Sequence, residues 1–285
     1  MNDAVFFAVL SLCFAGVNDI FFKKYSRKDR SRGMFVLGIG VVWAILQGVA
    51  FEMRTGGFTC DGSDISFGLL AGAFLFVSNI LLLESFTHID ISLGSTIYRL
   101  NTVIVVLLAV FLLDESLSAM KVLGILCGVI SIMFLYQRPD SRVRTSNYPL
   151  FFWMAVSAAC MRALYGVTTK SALLHHAEAQ PMLFVIALSW IVGGAAYALI
   201  KEKRFRLTRK KLIYSLISGV LVFAIANFLM LAVELGEASV VIPVANMSFV
   251  VALIISLGLG MEKLTLKKGT AMIFAVASII SLSLV

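Results

Sequence analysis

Four ionisable side chains, Asp19, Glu84, Arg99 and Arg162, stand inside runs that are otherwise apolar. A charge at the middle of a hydrocarbon layer costs about 2.5–3.5 kcal/mol on insertion scales, so such a residue faces the interior of a bundle and meets a partner or a ligand there. A guanidinium keeps its charge at any accessible pH and grips carboxylate or phosphate through two parallel hydrogen bonds. Arg99 therefore reads as an anion anchor, or as one end of a salt bridge to Asp19 or Glu84. Arg162 is a second anchor or a packed, snorkelling arginine. Asp19 suits an amino group or a coupling proton, since burial raises a carboxyl pKa, or else pairs with Arg99. Glu84 shares a helix face with His88, four residues on, as an interfacial pair or a proton relay that would serve as a gate.

Neutral polar residues in the same runs extend the set. Asn18, Asn79, Tyr98 and Asn101 join Asp19, Glu84 and Arg99 in the first half of the chain. Tyr165, Asn227 and Asn246 join Arg162 in the second. Tyr98, Tyr165 and Trp190 suit either stacking on a ligand or aromatic packing. Other chemistries lack their residues. No His-Glu-x-x-His is present, and Cys13, Cys60, Cys127 and Cys160 form no metal-type pair. His175 and His176 have no metal partner nearby in sequence. No catalytic set, metal or cofactor is expected, and the chain does not read as an enzyme.

The elements that position these residues follow from hydropathy. The chain has 285 residues, is 60% hydrophobic and 14% charged, against about half and about a quarter for soluble domains. Ten apolar runs are long enough to cross about 30 Å of hydrocarbon: about 4–22, 34–53, 66–87, 92–113, 118–137, 149–173, 181–200, 211–233, 238–259 and 267–285. They are continuous rather than alternating, which indicates helices and not barrel strands. The first run has no basic region before it, so it reads as retained rather than as a signal peptide.

A shift of 147 residues lays the chain on itself without a gap. Trp43 meets Trp190, Cys13 meets Cys160, Lys23 meets Lys170, Glu115 meets Glu262 and Lys121 meets Lys268. Gly68 and Gly72 fall on Ser215 and Gly219, and Gly124 and Gly128 on Ala271 and Ala275. Small residues at this spacing mark close helix crossings, or faces for a homodimer. Each copy holds five runs, and an odd number sets the second copy upside down. The expected fold is an all-α membrane protein of ten transmembrane helices in two inverted five-helix repeats. The first repeat spans 1–137, a cytoplasmic link 138–148, and the second repeat 149–285. Pro243 alone among the four prolines lies within a run and is expected to kink it.

The net charge of +8 is not a nucleic-acid footprint, because position explains it. Basic residues crowd the loops after runs 1, 5, 7 and 9, whereas only Arg54, Lys121 and Lys170 count to the opposite side. The basic side is cytoplasmic by the positive-inside rule. Both termini then face away from the cytoplasm, in a multi-pass protein of the plasma or inner membrane. The partners expected are a small-molecule substrate and the lipid bilayer, with no nucleic acid, in a monomer or homodimer. Asp19, Glu84, Arg99 and Arg162 have no charged counterpart under the register, which separates them from the scaffold.

Certain motifs add a family resemblance. Leu112-Leu113-Asp114-Glu115-Ser116-Leu117, followed by Lys121 and Gly124, resembles the fourth-helix signature of the drug/metabolite transporter superfamily, EamA-type. Met261-Glu262-Lys263-Leu264 repeats it, and Gly16-Val17-Asn18 with Lys23 resembles the family's first span. Ala15, Asp114, Met261 and Thr102 depart from its common Trp, Gly, Gly and Pro. The resemblance implies a metabolite carrier with a central cavity lined by helices 1, 3, 4, 6, 8 and 9. With both signs of charge along the bundle axis, it suggests transport of an amino acid or other zwitterion or organic anion. The alternatives are flipping of a lipid or lipid-linked sugar, or a membrane-embedded enzyme.

Overall fold

A computed structural model describes residues 2–26, 31–55, 57, 59–85, 97–135, 148–203, 208–259 and 265–285. The described residues form these helices: α1 Asn2–Ser26, α2 Arg32–Thr55, α3 Gly62–Ser85, α4 Asn101–Leu112, α5 Ala119–Leu135, α6 Tyr148–Leu174, α7 Ala179–Ala196, α8 Arg209–Leu235, α9 Ala238–Ala245, α10 Ser248–Gly258 and α11 Leu266–Ser283. A wider turn, Tyr197–Lys201, prolongs α7. Eight stretches are long and apolar enough to cross a membrane, α9 and α10 together making one of them. Ile97–Leu112 and Ala119–Phe134 are shorter apolar helices. These ten account for the ten runs. Apart from Tyr148, the link at 138–148 lies outside the described residues, as do His88 and Glu262.

The packing obeys the 147-residue register. α1 lies on α8 and α3 on α6; α2 lies on α8 and α7 on α3; α1 lies on α10 and α6 on α4. Each pairing becomes the next on exchange of the two copies. The same holds atom by atom. A Cβ on Gly72 would meet Ser189 and Ile186, and one on Gly219 would meet Val42 and Ile39, the matching residues. Ser131 Oγ donates to Ala271 O at 2.5 Å, and Ser278 Oγ donates to Gly124 O at 2.6 Å. Trp43 and Trp190 meet on the axis, ring centroids 5.8 Å apart and nearly perpendicular. Lipid supplies no hydrophobic drive between helices, so close approach at small residues and dispersion hold such a bundle. Gly68, Gly72, Gly124 and Gly219 all face helices of the same chain, which fills the faces that were the sequence's candidates for homodimerisation.

Three of the charges that repeat, Glu115, Lys121 and Lys170, act at helix ends. Glu115 accepts from the N–H groups of Ala238 and Ser239 at 2.7 and 2.9 Å, which caps the N-terminus of α9 where four donors lack helical partners. Lys170 Nζ donates to Val233 O and Gly236 O, both at 2.8 Å, at the C-terminal end of α8. Lys121 is fully buried and pairs with Glu237. Asp114, where the resembling family has Gly, has φ 53°. That left-handed backbone is natural for Gly and tolerable for Asp.

Candidate functional site

The fourth and ninth spans are both broken, at the same place in the register. Leu100 N donates to Ile97 O and Val103 N to Leu100 O, both at 3.1 Å. Met247 N donates to Val244 O and Val250 N to Met247 O, both at 3.0 Å, which are the matching bonds. Each break tightens one turn between two helical stretches. Pro243 was expected to kink the ninth span, yet it lies inside α9 and the break falls beyond it, at Asn246–Met247. The first copy breaks at Leu100 with Thr96 at the proline's position. The break therefore belongs to the repeat and not to the proline.

The two breaks face each other. Asn246 Nδ2 donates to Asn101 Oδ1 at 2.6 Å and to Thr102 Oγ1 at 3.3 Å. Arg99, its register partner, makes the matching contacts in the other direction. Its Nη1 donates to Ser248 Oγ at 3.2 Å and its guanidinium lies over the Phe249 ring, 5.0 Å from the centroid. Nη1 also donates to Asn246 O at 2.9 Å. At the break Val250 N has turned to Met247 O, and the Asn246 carbonyl accepts from Arg99 instead.

Asp19 completes the cluster from α1. Its Oδ2 accepts from Arg99 Nη2 at 3.0 Å and from Ser248 Oγ at 2.9 Å. Gly16 brings α1 this close: a Cβ there would lie 2.6 Å from Val251 Cβ and 2.7 Å from Ser248 O. The Arg99 side chain is 17% exposed and that of Asp19 40%. Of the two acids that the sequence offered Arg99, the structure pairs it with Asp19.

Glu84 does not join them. It pairs with Arg32 and with the Tyr197 hydroxyl, where the end of α3 meets the start of α2 and the end of α7. Glu202 ties the same end by accepting from Arg32 N at 2.7 Å and from Ser31 Oγ. Asn227 lies in a different network again. Its Nδ2 donates to Gln47 Oε1 at 2.9 Å, and Gln47 Nε2 donates to Gln180 Oε1 at 2.8 Å. Gln180 lines a cavity of about 430 Å³ with Arg54, Lys170, Glu178 and Glu234, at the opposite end of the bundle from Glu84. A polar ladder of amides thus runs from that vestibule to the buried Asn227, beside the Trp43–Trp190 pair.

The remaining sequence candidates line the interior singly. Asn18 is buried with Oδ1 unpartnered. Asn79 Nδ2 donates to Leu75 O of its own helix at 2.8 Å. The Tyr98 hydroxyl is 3.4 Å from Ser78 Oγ. Arg162 lies over the ring of buried Tyr165, 5.2 Å from its centroid. Sequence reasoning passed over Thr102, Ser248, Gln47 and Gln180, which are short or uncharged, and Arg32, which read as a loop charge. Among the described residues no group of three or more His, Cys, Asp or Glu could hold a metal ion.

The model of the EamA-like transporter family matches residues 3–137 and again 150–284. The second match begins and ends 147 residues after the first. The chain belongs to the EamA-like transporter family. This EamA chain also superposes on a solved protein, titled "Crystal structure of protein", with a TM-score of 0.81 over 98% of its own length and 95% of the other's. At 12% identity that likeness is one of fold. No curated protein matches the chain. As an EamA protein it is a multi-pass membrane transporter, and the paired breaks in its fourth and ninth spans carry the polar centre of its bundle.

Proposed function

We propose that this EamA protein is a secondary transporter of a small zwitterion, of which an amino acid is the simplest kind, working by alternating access. The observation that carries the reading is the Asp19–Arg99 pair at the meeting point of two broken helices. The pair is net neutral. An organic anion that took Arg99 would leave the Asp19 carboxylate without its counter-charge, held by the Ser248 hydroxyl. A zwitterion replaces one internal ion pair by two external ones and strands nothing. Its carboxylate takes Arg99 and its ammonium takes Asp19. Asn101 and Asn246 border the same space, and Asn18, with an open acceptor, adjoins Asp19 in the chain. Asn79, Tyr98, Arg162, Tyr165 and Asn227 line the path on either side. Glu84, tied to Arg32 and Tyr197, closes the inner end.

The orientation follows the loop charges. The vestibule between Arg54, Lys170, Glu178 and Glu234 opens away from the cytoplasm, and both termini lie on that side of the cell membrane. Uptake of labelled amino acids and organic anions into proteoliposomes tests the reading. Zwitterions are expected to be carried, and both Asp19→Asn and Arg99→Gln to abolish the flux while the protein stays folded. Flux of anions that survives Asp19→Asn, or no flux of any zwitterion by folded protein, would overturn it.

A further inference from the structure

Among the described residues, each hydrogen-bond and ring partner of Arg99 is an acceptor or an electron-rich face. Asn246 O is a main-chain carbonyl freed by the helix break. Ser248 Oγ offers lone pairs to Arg99 because its own proton is committed to Asp19 Oδ2. Asp19 supplies the negative charge, and Phe249 the ring face. Together they form a receptor for a cation that the chain has filled with its own guanidinium. Arg99 reaches it from the turn before α4, whereas every other contributor lies on α1 or at the break of the ninth span. The receptor can therefore outlast the departure of Arg99. Asp19, with 40% of its side chain exposed, is open to a group arriving from outside.

We infer that Asp19, Ser248, Asn246 O and Phe249 make a cation-binding site selective for groups that carry N–H bonds, a guanidinium or a primary ammonium, with Arg99 as its internal occupant. The inference rests on the proposed transport only in naming the cationic end of the substrate; the site itself stands apart from it. The selectivity follows from donor counting. The planar guanidinium satisfies the carbonyl, the hydroxyl and the carboxylate at once. A primary ammonium has three donors for the same three acceptors. A quaternary ammonium has none, so it would gain from Phe249 but leave a main-chain carbonyl without a donor, which opposes its binding.

Chemical rescue of the emptied site tests this without any flux measurement. Arg99→Ala protein, purified in detergent, is heated in millimolar guanidinium, methylammonium, tetramethylammonium or sodium chloride at matched ionic strength. The variant should melt below the wild type. Guanidinium should restore most of the loss in a saturable way, methylammonium part of it, and tetramethylammonium and sodium none. Wild-type protein, whose site is filled, should not respond, and adding Asp19→Asn should abolish the rescue. Equal rescue by tetramethylammonium or sodium, rescue that survives Asp19→Asn, or no rescue of folded variant would each overturn the inference. Arg99→Gln runs in parallel as a second variant that keeps a polar, uncharged side chain at this position. If neither variant folds even when extracted in guanidinium, the receptor does not outlast Arg99 and the inference fails. Rescue without zwitterion flux would sink the transport reading and leave the site standing.

Discussion

Gly16→Ala puts the positioning of Asp19 to a direct test. The added methyl carbon would lie 2.6 Å from Val251 Cβ, 2.7 Å from Ser248 O and 2.8 Å from Val251 Cγ1. Carbon atoms in contact need about 3.5 Å, so α1 must back away from α10 by roughly 1 Å. Two of the three obstructing atoms are main chain or Cβ, and neither can rotate aside. Asp19 follows Gly16 by three residues, roughly 4.5 Å along the same face. Its bonds of 2.9 Å to Ser248 and 3.0 Å to Arg99 would stretch to about 4 Å, beyond hydrogen-bonding range. Overpacking of this size costs about 1–3 kcal/mol, and the lost hydrogen bonding adds about 1 more. Unfolding in mixed micelles of rising sodium dodecyl sulfate content reads the loss, and proteoliposome flux reads the function. Ala163, the register partner of Gly16, is already a buried alanine, so its copy accommodates a Cβ at this position. Ala163→Gly should cost only the roughly 0.5–1 kcal/mol of a helical glycine and spare transport. A Gly16→Ala protein with wild-type midpoint and flux would show that α1 is not held by this contact and that Asp19 is not placed by it.

Two further outcomes are expected. Ser131→Ala and Ser278→Ala each remove a hydrogen bond to a facing carbonyl; in membranes such bonds average about 0.6 kcal/mol and reach about 1.7. The two variants should lose the same stability within about 0.5 kcal/mol, and a larger difference would deny the equivalence of the α5 and α11 contacts. Cys60 is exposed between α2 and α3, and its thiol pKa is raised by partial burial and then by Asp64, Asp61 and Glu178. Only the thiolate attacks a maleimide, so labelling should be slow at neutral pH, rise about tenfold per pH unit below the pKa, and quicken in Asp61→Asn. An impermeant maleimide should reach it in intact cells; labelling that requires lysis would reverse the orientation argued from loop charges.

The register was legible because rare residues carried it, and physics turned it into contacts. In a bundle with an internal two-fold, register partners near the axis must touch, as Trp43 and Trp190 do. Helix crossings were legible for the same reason: Gly72 and Gly219 need a close neighbour in any copy of the fold. The breaks were not legible. Leu100 and Met247 are apolar, neither break carries Gly or Pro, and the polar residues beside them, Arg99, Asn101 and Asn246, read as site residues rather than as a change of backbone. The proline drew attention to α9, and the break lies beyond it, at Asn246–Met247. The amides Gln47 and Gln180 escaped because a neutral side chain near the end of an apolar run costs little and gives no signal. Glu84 was grouped with Arg99 on depth alone, while its partner Arg32 stood 52 residues away among loop charges.

Why the register fails where it does is the remaining question. Arg99 and Asn246 are register partners, and each reaches across to the first turn of the other's broken helix. The geometry is common to both copies and only the chemistry differs. Asp19 faces Arg99 on one side, while its own counterpart, Gly166, has no side chain and lies against Ile242 on the other. Had the charges repeated with the fold, two ion pairs would lie about the axis and offer two equivalent receptors. With one pair, the bundle has one charged half-site and one neutral half-site lined by Asn101, Thr102 and Asn246. Under the proposed mechanism that asymmetry sets a stoichiometry of one substrate per cycle and a fixed way round for it, charged groups toward Asp19 and Arg99 and side chain toward the amides. Placing a second charge pair at Gly166 and Asn246 would restore the symmetry, and it should destroy that preference rather than double the transport.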